Sequence, residues 1–175
     1  MEPDETQRRT YLLVDGENID ATLGMSVLGH RPAPEERPRW ERVTNYAQAL
    51  WDLPMGFVQA LLAVGYHPIP LSGSSTEKVV DIGIQRMLEA INANGGDVLL
   101  ASHDGDFLPQ VEQLLEGDHR VGLLAFREFA NARFTELVED GLTIHDLEDD
   151  LGAFNAPLPR VRIIPIGAFD PLRYL

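Results

Sequence analysis

No cysteine occurs among the 175 residues, which excludes disulfides, cysteine-based zinc sites and thiol nucleophiles. Lysine is nearly absent: Lys78 stands alone, and every other basic side chain apart from histidine is arginine. There is no apolar run of transmembrane length. The opening Met1-Glu2-Pro3-Asp4-Glu5 is acidic rather than basic and apolar, so no signal peptide is expected. Positive charge is scarce: 14 Lys and Arg against 28 Asp and Glu leave a formal net charge of −14. A simple nucleic-acid binder carries the opposite sign, because phosphate contacts need cations. An acidic nuclease is compatible with this balance where metal supplies local positive charge and a few arginines grip the backbone. A surface whose acid merely maintains solubility is an equal reading. What remains is a cytoplasmic enzyme or binding domain with no membrane association.

The chain is 44% hydrophobic, enough for a full core in one domain. Residues 1–9 are polar and expected to fray. Tyr11-Leu12-Leu13-Val14 reads as a buried strand, and Asp15-Gly16 as the turn after it. Gly24 to Arg39, with Pro32, Pro34 and Pro38 among charges, reads as a loop. Helical patterns follow at 40–51 and 54–64, then an irregular or edge strand at 66–71 containing Pro68 and Pro70. Ser72-Gly73-Ser74-Ser75-Thr76 is a flexible loop. Val80, Ile84, Met87, Leu88 and Ile91 repeat at helical spacing across 78–93. Asp97 to Ala101 is a strand, 106–115 a helix, Val121 to Phe126 a strand, 130–139 a helix and Leu142 to His145 a short strand. This alternation predicts a mostly parallel sheet with helices on both faces, in a domain spanning residues 1–150. Prolines at 157, 159, 165 and 171 make 151–175 an extended arm, a candidate for exchange between chains in a homodimer.

In a parallel α/β sheet, ligands bind at the edge where strands end and helices begin. Asp15 ends the first strand, Asp104 and Asp106 follow the strand at 97–101, and Asp81 sits in the first turn of a helix. Four carboxylates from three segments are thereby sent to one edge. Hard cations such as Mg²⁺ and Mn²⁺ take such oxygen ligands. A single Asp at a helix start is ordinarily an N-cap. Asp104 and Asp106, however, flank one glycine, and one cap does not need both. Crowded carboxylates repel unless a cation neutralises them, so the group reads as a metal site.

Asp15-Gly16-Glu17-Asn18, Lys78-Val79-Val80-Asp81 and Ser102-His103-Asp104-Gly105-Asp106-Phe107-Leu108-Pro109 closely resemble the three signature blocks of the NYN domain family. Its LabA-like branch, within the PIN-like, flap-nuclease-like superfamily, is the nearest match, and the resemblance covers about residues 11–146. It implies a Rossmann-like three-layer α/β sandwich and a ribonuclease, a hydrolase that cuts RNA phosphodiester bonds with Mg²⁺ or Mn²⁺. It makes Asp15, Asp81, Asp104 and Asp106 the catalytic, metal-binding carboxylates, with Asn18 and Ser102 as polar supports. The chain departs from the pattern at Met87 and Ala132, where relatives often carry Asp, and at His103, where Gly is usual. These departures leave a rival reading: a regulatory or interaction module that keeps the acidic pocket without turnover.

Other residues carry weaker readings. Lys78 is either a partner for a carboxylate or phosphate, or an ordinary exposed lysine. Glu17 is a further acid around the site or a turn residue. His103 could orient a phosphate, but the expected reading is a solvent-facing loop histidine. Arg31, Arg37, Arg39 and Arg42, with Trp40, could grip and stack single-stranded or structured RNA, or form a solvated charged loop anchored by the Trp. His67, His119 and His145 suggest no site. At Trp51-Asp52-Leu53-Pro54 two helices meet with no strand between them, which suggests a missing segment, because a parallel crossover normally contains one.

Overall fold

The computed structural model describes residues 9–51, 79–159 and 166–175. The expected helix at 54–64, strand at 66–71, loop at 72–76, junction beyond Trp51, Lys78 and the first eight residues lie outside this set. No helix among the described residues is long and apolar enough to cross a membrane.

Four strands form one parallel sheet in the order β1 (Thr10–Val14), β2 (Asp97–Ala101), β3 (Val121–Ala125) and β4 (Thr143–Asp146). All five residues of β2 and of β3 are buried, the pattern of strands covered on both faces. Their side chains alternate between two cores. Leu12, Leu99 and Leu124 face one core, and Leu13, Leu100 and Leu123 face the other. The first core is closed by helix α1 (Gly16–Thr22), the turn that continues it, and α2 (Trp40–Leu50), through Ile19, Leu23, Val43 and Ala47. The second is closed by α3 (Val79–Asn94), α4 (Leu108–Glu116) and α5 (Ala132–Glu136), through Leu88, Leu114 and Phe134. The molecule is a three-layer α/β sandwich, as the alternation of elements predicts.

Two local expectations are corrected. Asp15-Gly16 does not open a turn and loop; helix α1 starts there and runs on as a π-helical segment, Leu23–Leu28. Ile19, Leu23 and Val27 are spaced at four and bury one face, a weak period in a short segment that the prolines beyond it obscure. The expected helix at 106–115 begins as a 3₁₀ turn, Gly105–Phe107, before α4. Past residue 150 the chain stays on the body for some distance: Leu151 and Ala153 are buried in the first core and Phe154 stacks on Phe126.

The parallel register sets the strand ends level. Val14 pairs with Ala101 and Ala101 with Leu124, and the Asp15 N–H donates to the Ala101 carbonyl at 3.0 Å. The residues that follow β1 and β2 therefore leave the sheet side by side.

Candidate metal centre

Asp15 follows β1 and stands immediately before α1, yet its carboxylate makes no helix-capping hydrogen bond. It is 3% exposed, and Ser102 Oγ donates to its Oδ2 at 3.0 Å. Ser102 in turn accepts the Asp104 N–H at 3.1 Å. One hydroxyl thus ties the end of β1 to the loop after β2. Burial is the main force pushing the Asp15 carboxyl up to about 6; the Ser102 bond opposes it, and the nearby Asp81 adds to it. The Asn18 N–H faces the same carboxylate and offsets part of the rise without closing a cap.

Asp104 does cap. Its Oδ1 accepts the Asp106 N–H at 2.9 Å, closing the 3₁₀ turn. Asp81 lies in the first turn of α3, and one turn further Gln85 Nε2 donates to the Asp106 carbonyl at 3.1 Å, holding α3 against the same loop. Burial first, then the charges of Asp104, Asp106 and Glu17, push the Asp81 carboxyl above its ordinary value. One carboxylate oxygen from each of Asp15, Asp81 and Asp104 lies within 4.8 Å of the other two. Three hard oxygen donors, two of them with raised proton affinity, form a set that a divalent cation relieves. The fourth expected ligand, Asp106, is exposed and outside this triad; its backbone serves the loop while its charge bears on Asp81.

His103 is the residue that sequence reasoning misplaced. It is 8% exposed, not solvent-facing. Its backbone N–H and Nδ1 both meet Asn18 Oδ1, at 2.8 and 3.1 Å, and its Nε2 accepts the Phe126 N–H at 2.8 Å. These partners place the ring proton on Nδ1, because an amide oxygen only accepts and a backbone N–H only donates. Burial pushes the ring down to about 4. The ring also stacks on Phe126, with centroids 5.5 Å apart. One histidine therefore joins α1, the loop after β2 and the end of β3, and it engages the Asn18 oxygen that was expected to face metal or substrate. Asn131, which caps α5, explains the glycine between the two acids. A Cβ on Gly105 would lie 2.6 Å from Asn131 Nδ2.

The charged loop divides. Arg42 donates to the carbonyls of Gly152 and Phe154 and to Asn155, and Arg39 to the Glu35 carbonyl; both brace the body. Arg37 pairs with Asp20 at 3.5 Å, while exposed Arg31 has no hydrogen bond or ion pair among the described residues.

Ser102→Ala is expected to cost about 1–3 kcal/mol at neutral pH, since it strands the Asp104 N–H and removes the donor that offsets Asp15 burial. Urea unfolding checks this, and an unchanged midpoint would refute the bridging role.

A family model described as NYN domain matches residues 9–144. In structure, the chain is similar to a protein of unknown function from Vibrio parahaemolyticus, with TM-score 0.56 and 18% identity. The match covers 86% of this chain and 99% of that one, a likeness of fold. Among curated proteins none matches.

Proposed function

The chain belongs to the NYN domain family, and on that premise we propose that it is a ribonuclease that hydrolyses RNA phosphodiester bonds at a Mg²⁺- or Mn²⁺-dependent acidic site. The observation that carries this reading is the convergence of Asp15, Asp81 and Asp104 within 4.8 Å. These three carboxylates would hold the ion, with Asp106 lending charge at the rim. When bound, the ion would activate water and neutralise charge on the phosphate. The protein's own part is to keep the donors aligned. Ser102 holds the Asp15 oxygen and the Asp104 backbone, and His103 locks the loop to α1 and β3. No nucleophilic side chain is required.

Met87 and Ala132 favour the rival reading, a module that binds without cutting. Met87 packs against the second core and Ala132 starts α5, so neither adds a donor. Incubation with labelled single-stranded RNA separates the two. Shorter products are expected with Mn²⁺ and none with EDTA. Intact RNA under both conditions would leave the non-cleaving module.

A further inference from the structure

We propose that the cavity beside α1 is a subsite for a nucleotide of single-stranded RNA flanking the scissile phosphate, an inference that rests on the ribonuclease reading and extends it. The cavity measures about 630 Å³, within the range of small-ligand pockets. Its lining reaches toward the acidic site at Glu17, two residues after Asp15 in the first turn of α1. That side chain lines the cavity, and its charge acts on Asp81. Helical spacing separates the two environments. Asp15 and Asn18 face the loop after β2 through Ser102 and His103. Glu17, Ala21 and Gly24 follow one another at four and three residues and line the cavity instead.

Glycines shape another part of the lining. The Gly29 N–H bonds to the Gly24 carbonyl at 2.7 Å, closing the wide turn, and Gly24 lets the next segment approach closely. A Cβ there would lie 3.0 Å from both the His30 carbonyl oxygen and Pro32 Cδ. Met25 lines the cavity and is 85% exposed, a soft apolar surface suited to the face of a base. Arg31 also lines the cavity and is unpartnered among the described residues; Arg37 lines it too, held by Asp20 at 3.5 Å. In a chain of net charge −14, one cavity is thus lined both by Glu17, in the first turn of the helix after Asp15, and by two arginines. A strand with one phosphate at the acidic site and metal would set a neighbouring base against Met25 and a neighbouring phosphate on Arg31.

The test uses a fluorescein-labelled oligouridylate, with binding read by anisotropy in EDTA and cleavage read with Mn²⁺. Arg31→Ala is expected to weaken binding several-fold and to reduce the slope of log affinity against log salt by about 0.7, one phosphate contact on a single strand. Arg31→Lys restores the slope. Met25→Ala weakens binding with the slope unchanged. In cleavage both alanine variants raise KM and leave kcat near wild type, and both side chains are exposed enough that melting temperatures stay put. Wild-type cleavage with variants indistinguishable from it in binding and KM would overturn the subsite alone. A wild type that binds this RNA through Arg31 and Met25 but never cuts it would support the subsite and remove the ribonuclease reading. A wild type that neither binds nor cuts would overturn both.

Discussion

Asp15→Asn is expected to lower Mn²⁺-dependent RNA cleavage by at least ~100-fold and, in metal-free buffer at neutral pH, to make the protein more stable. The two effects have one origin. In the folded chain the Asp15 carboxyl titrates at about 6 against an ordinary 3.8, chiefly because it is buried. A carboxyl raised in this way favours folding while protonated; its contribution is complete below pH 3.8 and is lost as pH rises through 6. At pH 7.5 the native state holds a buried charge that the unfolded state hydrates freely, at a cost of about 1–3 kcal/mol. Asparagine removes that charge and still accepts from Ser102. The gain should vanish near pH 4 and shrink when Mn²⁺ is added, because only wild type gains stability from the ion by mass action. Thermal melts with EDTA and with millimolar Mn²⁺ decide it. A wild type with no Mn²⁺-dependent shift would rule out the shared metal site, and a variant less stable than wild type in EDTA would rule out the buried-charge account.

His103→Ala carries the largest stability loss we expect, about 3 kcal/mol at pH 7.5. It removes a stacked ring from a closed space, strands the buried Phe126 N–H and frees Asn18. The loss depends on pH with the opposite sign to that of Asp15. The folded ring titrates at about 4 against an ordinary 6.5, so its contribution is complete above 6.5 and is lost as pH falls toward 4, when the unfolded histidine takes up a proton first. Wild type and His103→Ala should converge in stability as pH drops to 4. Between pH 6 and 4 the two slopes oppose each other in wild type, since the native state binds a proton at Asp15 while the unfolded state binds one at the histidine. Asp15→Asn should therefore lose stability on acidification more steeply than wild type. Denaturant unfolding across this range measures both, and a constant gap between wild type and His103→Ala would refute a ring kept neutral by burial.

The acidic residues and the sheet were legible in the sequence for a local reason. β1 and β2 are short apolar runs, the first followed by Asp15-Gly16 and the second by Ser102-His103-Asp104, and a parallel α/β alternation sends strand ends to one edge whatever the packing details. That was enough to group Asp15, Asp81 and Asp104. Asp104 and Asp106 flank the same glycine, yet Asp104 caps the 3₁₀ turn and joins the triad while Asp106, inside the turn, is exposed and outside it. α1 was missed because its buried stripe is three residues long and is followed by prolines. His103 was misplaced because its partners, Asn18 and the Phe126 N–H, are 85 and 23 residues away; no window along the chain contains them. The four arginines of the charged loop look alike in sequence, yet Arg42 is engaged by carbonyls more than a hundred residues on, while Arg31 is exposed and has no partner among the described residues. Residue type and short-range pattern determined which chemistry the chain can offer. Burial, hydrogen-bond partners and the register of β1 against β2 decided which side chains deliver it, because these depend on contacts between segments that the sequence keeps far apart.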